Sequence, residues 1–124
     1  MKIKELPKHF IGTGEVRGFE FTQLLKTDHA YLYQVECKSE NDDKTTTYYE
    51  IFERKINKVY GNVSYPKSKS FGIWAYTKSD FNVAVAKLSE LDERVRERIA
   101  RRERGEVIEE DNELMEEEEE YADA

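Results

Sequence analysis

Two hydrophobic periods divide the chain. Up to Tyr76 apolar side chains alternate with polar ones, the two-residue period of β-strands. After Ser79 they recur at Phe81, Ala84, Val85, Leu88, Leu91, Val95 and Ile99, one stripe along a helix. The alternation predicts strands from about Val16 to Lys26, from Ala30 to Lys38, from Thr45 to Lys55 and from Phe71 to Tyr76. In the first, Phe19, Phe21 and Leu25 share a face; in the second, Tyr31, Tyr33, Val35 and Cys37 do; in the third, Tyr49 and Ile51 lie opposite Tyr48, Phe52 and Arg54.

The connections are punctuated by residues that favour turns. Gly12, Gly14 and Gly18 mark a bend or bulge at the entrance of the first strand. Thr27-Asp28-His29 is a short turn, and the polar run Ser39 to Lys44 reads as a mobile loop. Between Ile56 and Ser70, Gly61, Asn62 and Pro66 predict a loop with room for a short strand at Lys58 to Tyr60. The helix is expected from about Ser79 to Arg104. A hydroxyl of Thr77 or Ser79 serves as its cap, Asp80 sits at the positive end of its dipole, and Gly105 ends it.

The fold class that follows is α+β: a four-stranded antiparallel meander, five-stranded if the short segment pairs, followed by one long C-terminal helix packed on one face. Residues 1–9 form an irregular lead-in, 10–104 a single ββββα domain, and 105–124 a disordered acidic tail. A helix of that length would be about 39 Å long, against roughly 15–20 Å for the width of four strands. The helix therefore overhangs the sheet, which predicts a homodimer seam at Leu91, Val95 and Ile99.

Charge changes the picture. Residues 1–104 hold 20 Lys and Arg against 16 Asp and Glu, whereas residues 105–124 hold 11 acids and no base. The body is mildly basic and the tail is a concentrated anion, so the net charge of −7 does not argue against a polyanionic partner. Thirteen of the 15 aromatic residues lie at or before Tyr76, on both faces of a sheet of which one helix covers only one face. Stacking of unpaired bases needs π-faces beside cations, and Tyr31, Tyr33, Tyr48, Trp74 and Tyr76 with Arg54, Lys55 and Lys58 are the candidate nucleic-acid-binding set. Against that stands the ordinary abundance of tyrosine in strands. The six arginines between Arg94 and Arg104 are explained as a solvated face by the i,i+4 pairs Glu90–Arg94, Asp92–Arg96 and Glu97–Arg101.

Other chemistry has little support. His9 and His29 lack partners at metal-ligand spacing, Gly12-Thr13-Gly14 lacks the rest of a phosphate loop, and Cys37 falls among apolar neighbours. No catalytic residue, metal or cofactor is expected. One cysteine, charges throughout MKIKELPKHF and no membrane-length apolar run point to the cytoplasm. The order of elements, four strands and then a helix, resembles that of single-strand-binding proteins of the Whirly type over about residues 10–104; the resemblance carries no particular residue. Two functions are therefore expected. One is a non-catalytic binder of single-stranded nucleic acid whose acidic tail autoregulates it or recruits a protein. The alternative is a small protein-interaction module, an adaptor or inhibitor, acting through its helix or tail.

Too few apolar residues lie beyond Gly105 to offset the entropy of ordering the segment. Deleting residues 105–124 is accordingly expected to leave the thermal unfolding midpoint unchanged; a fall of several degrees would show that the tail docks as structure.

Overall fold

The computed structural model describes residues 2–38 and 44–105, so the expectations of a mobile loop and of a disordered tail fall outside the described residues. Strands β1 (His9–Ile11), β2 (Glu20–Lys26), β3 (Ala30–Lys38) and β4 (Thr45–Glu53) are followed by β5 (Ile56–Asn57), β6 (Asn62–Val63), β7 (Ala75–Lys78) and the helix α1 (Phe81–Glu103). The main sheet is antiparallel with the order β1-β2-β3-β4-β7, and β5 and β6 pair separately as a small ladder. The α+β class and the meander-then-helix order hold.

Several expectations are corrected. The fifth strand is β1 at the sheet edge, while residues 58–60 form the turn between β5 and β6 rather than a strand. The last strand begins at Ala75, because residues 72–74 are a turn. Asp80, not Thr77 or Ser79, caps the helix, its Oδ1 accepting from the Val83 amide at 2.9 Å. Gly105 ends the helix at φ +79°, as expected of a residue free to enter the left-handed region. A bulge between Gln23 and Leu25 moves Leu25 off the face of Phe21: Phe21 pairs with Val35, but Leu25 pairs with Leu32.

The unbroken β3–β4 ladder, from Ala30↔Glu53 to Lys38↔Thr45, divides the core into two layers. On one face Ala30, Leu32 and Ile51 meet Ala84, Leu88 and Leu91 of the helix. On the other, Phe21, Tyr31, Tyr33, Val35 and Phe52 join Trp74 and Val63. This second layer is closed by the lead-in and by the segment between β4 and β7. Lys4 bridges to Asn62, the Tyr33 hydroxyl donates to the Pro7 carbonyl at 2.6 Å, and Lys8 accepts from the Gln23 amide at 2.7 Å. Glu5 accepts from the Tyr31 hydroxyl and from Arg54, and Lys26 lies 3.2 Å away. The lead-in is thus irregular but structural.

The helix lies along β4 rather than across the strands. Phe81 at its start packs edge-on to Tyr49 at 5.7 Å, and Arg94 and Arg98 near its end each reach Glu53 at 2.6 Å. Phe81 meets Tyr49, midway along β4, and Arg98 meets Glu53, the last residue of that strand, so the final turn of the helix continues past the end of β4. Of the residues expected at a dimer seam, Leu91 is fully buried within the single chain, Val95 is 9% exposed and Ile99 is half-buried. Arg94 turns inward instead of pairing with Glu90, which takes Lys87 at 3.2 Å, while Asp92–Arg96 and Glu97–Arg101 form as expected.

Glu53 is 1% exposed and Arg98 7%, so truncation of the acid strands a buried guanidinium. Glu53→Ala is expected to cost about 3–5 kcal/mol in urea denaturation; a loss below about 1 kcal/mol would place the pair among exposed, weak ones.

Candidate functional site

Placement of the expected stacking residues follows from that closure. Tyr31, Tyr33 and Trp74 are 0% exposed, and Lys55, itself buried, carries its ammonium 5.4 Å from the Trp74 ring centre. Arg54 is engaged by Glu5. Tyr76 stands on the opposite face: it pairs with Ile51, its hydroxyl donates to the Ile73 carbonyl at 2.9 Å, and Lys87 sits 3.9 Å above its ring. Trp74 and Tyr76 do not share a face because Trp74 precedes the strand. Only Lys58, on the turn before β6, is well exposed. The set expected to form one surface is therefore split between a core, the helix interface and a hairpin tip. Presenting those rings to solvent would forfeit roughly 1.5–3 kcal/mol each, as much as base stacking returns per base.

Among the openings that the covering segments leave is a cleft of about 420 Å³ over the β1 end of the aromatic face. Its walls are Phe10 of β1, Val16 of the β1–β2 connection, and Tyr65 and Phe71 of the segment between β6 and β7. Tyr65 stands edge-on to Phe10, Phe21 and Phe52 at 5.4–5.9 Å, so its ring is wedged by the core. The near wall is held by Gly12, whose amide donates to the Phe19 carbonyl at 2.7 Å. A Cβ at Gly12 would lie 2.3 Å from the Val16 carbonyl oxygen, so the connection can fold back only over glycine.

Glu50 lines this cleft. It lies on the aromatic face of β4, 3% exposed, opposite Tyr33. The hydroxyls of Tyr65 and Tyr48 both donate to its carboxyl. Burial raises its pKa above the ordinary carboxylate range, more than those hydroxyls lower it. Tyr48 is pushed up to about 12, by burial first and then by the neighbouring Glu50. At the rim Ser68 donates to Glu15, and Lys67 completes the wall. The chemistry on offer is a small aromatic recess with a carboxyl at its inner end. Among the described residues no three His, Cys, Asp or Glu side chains gather to hold a metal ion.

The chain matches no family model, no curated protein and no solved structure. The site is therefore read from its own residues. Sequence reasoning passed over Glu50, Tyr65 and Phe10. The signal for Glu50 was its alternation with Tyr48 and Phe52, which puts an acid on an otherwise aromatic strand face. Tyr65 and Phe10 had no such signal, lying in segments with no period.

The two perturbed acids act oppositely on stability. Glu5 is held down at about 2, chiefly by Arg54 against the opposing effect of desolvation, with Tyr31 and Lys26 adding. Its contribution is full above its ordinary value of 4.5 and is lost as pH falls toward about 2. Glu50, whose folded value is raised, loses stability for the fold as pH rises through the interval between its ordinary and its folded value. Glu50→Gln is accordingly expected to melt at or above the wild type at neutral pH, with the difference vanishing in acid. A lower midpoint than wild type at neutral pH would contradict the assignment.

Proposed function

We propose that the protein is a non-catalytic interaction module that receives a partner's side chain in the Glu50 cleft. The observation that carries this reading is the cleft itself. Its volume of about 420 Å³ falls within the roughly 300–1,000 Å³ of ligand pockets, and it combines apolar walls with a few convergent polar groups. The acidic segment 105–124 supplies a second, electrostatic attachment to a basic partner. A reducing compartment, the cytoplasm, suits the free thiol Cys37. No helix among the described residues is long and apolar enough to cross a membrane.

A second reading keeps single-stranded nucleic acid as the partner but moves it from the sheet to the turn between β5 and β6. There Tyr60 is 65% and Val59 61% exposed beside Lys58, and Lys4 pairs with the adjoining Asn62. One exposed ring among lysines is a smaller platform than the aromatic sheet face, so this reading stands second.

Titration of the ¹⁵N-labelled chain with capped amino-acid residues of differing side chain tests the first reading. At least one is expected to shift the amides of Gly12, Thr13 and Ser68 while leaving Val59 and Tyr60 unmoved. No shift at the cleft from any of them would overturn it. Fluorescence anisotropy with a single-stranded oligonucleotide tests the second: binding at low salt that weakens on Tyr60→Ala sustains it, and no binding at low salt by a chain truncated after Arg104 removes it.

A further inference from the structure

Building on the reading of the cleft as the attachment site, we propose that a partner protein adds an extended segment to the outer edge of β1, antiparallel to it, and that one apolar side chain of this segment fills the cleft. The main-chain pattern of β1 carries the first half. The Gln23 amide donates to the Lys8 carbonyl and the Gly12 amide to the Phe19 carbonyl, both at 2.7 Å, so residues 8, 10 and 12 turn their main-chain groups toward β2. His9 and Ile11 therefore turn theirs the other way, where the sheet ends and no strand lies beside them among the described residues. Both residues are exposed, Ile11 at 54%. Their N–H and C=O groups, at strand spacing, are a template for polypeptide main chain. The other edge of the sheet is not equivalent. There the turn before β7 folds back on it, Phe71 bridging to Ala75 and the Gly72 amide donating to the Ala75 carbonyl at 2.7 Å.

The cleft supplies the second half, because it lies beside that edge. In antiparallel addition the partner residues opposite His9 and Ile11 exchange hydrogen bonds with them, and the residue between, opposite Phe10, projects from the same face as the Phe10 ring. Phe10 is a wall of the cleft, and Ile11 and Gly12 line it as well. The central side chain of the added strand is thus delivered into the cleft beside Phe10.

The charges on the lining select the kind of side chain. Glu15 at the rim is offset by Lys67, and burial favours the neutral form of Glu50, so the cleft presents no net charge to attract a cation or an anion. What remains is the apolar surface of Phe10, Val16, Tyr65 and Phe71, which matches a leucine or phenylalanine side chain. With only three residues in β1, the main-chain bonds are few. They set the register of the segment, and the side chain in the cleft supplies the selectivity.

The test uses the full ¹⁵N-labelled chain and capped pentapeptides Thr-Thr-X-Thr-Thr, with X phenylalanine, leucine, lysine or glutamate. Two further forms of the phenylalanine peptide are N-methylated, one at both residues flanking X and one at X alone. The phenylalanine or leucine peptide is expected to shift the His9 and Ile11 amides together with those of Gly12, Thr13 and Ser68. Methylation of both flanking residues removes the donors to the His9 and Ile11 carbonyls and is expected to weaken binding roughly tenfold or more. Methylation of X, whose N–H points away from β1, is expected to change it by less than about twofold. Equal binding of the flank-methylated peptide, or shifts confined to the cleft, would overturn strand addition and leave the cleft as a binding site. Lysine or glutamate at X, bound as tightly as phenylalanine, would overturn the apolar side chain as the occupant. No shift from any peptide would overturn strand addition alone if single capped residues still shift the cleft, and the cleft reading with it if they do not.

Discussion

The carboxylate of Glu53 sets where the helix lies, and most of the architecture depends on that position. It ends β4 on the helix side of the sheet, where Arg98 donates to Oε1 and Arg94 to Oε2, each at 2.6 Å. Arg94 donates further to the Ile73 carbonyl and the Tyr76 hydroxyl, so one side chain ties the helix to β4, to β7 and to the turn before it. A buried ion pair is weak as a source of net stability, because apolar residues of the same shape often serve as well. Its effect here is positional. With the helix drawn along β4, Leu91 packs on the chain's own sheet and Val95 is buried within the same chain.

The same position decides the fate of the opposite face. The helix covers one side of β3, β4 and β7, so the aromatic residues on the other side need a cover of their own. The lead-in and the segment between β4 and β7 supply it, and they do so with polar fastenings: Glu5 to Tyr31 and Arg54, Tyr33 to the Pro7 carbonyl, and the Ser64 amide to the Lys55 carbonyl at 2.8 Å. Buried tyrosine hydroxyls require such partners, which is why two irregular segments can be held as firmly as strands. The cover meets the fold of the β1–β2 connection at Phe10, Val16 and Tyr65, and the gap between them is the cleft on which Glu50 opens. Function is therefore read from what the cover leaves exposed, rather than from the aromatic content of the sheet.

The elements built on a single period were legible. β3, the core of β4, the helix and its stop at Gly105 follow from alternation, the 3.6-residue stripe and a residue that tolerates positive φ. What failed depended on long-range partners. Alternation continued through residue 24 could not anticipate the bulge that moves Leu25, and nothing local tells that Arg94 serves Glu53 rather than Glu90. Periodicity likewise carries no information on the direction in which the helix runs over the sheet. Of the site, only Glu50 was visible, as an acid on an aromatic strand face; Phe10, Glu15, Tyr65 and Phe71 come from segments whose order is imposed by the residues they cover.

Enclosure of the aromatic face is what the placement of the helix and the cover brings about. The chain has one tryptophan, and Trp74 is fully buried in the core of that face with Lys55 across its ring. Its fluorescence in the intact, folded chain is the most direct measurement: emission displaced to the blue, with little quenching by iodide or acrylamide until the protein unfolds, is the predicted result. Emission at the wavelength of solvated indole, quenched freely under native conditions, would mean that the cover is open and the sheet face available, and would contradict it.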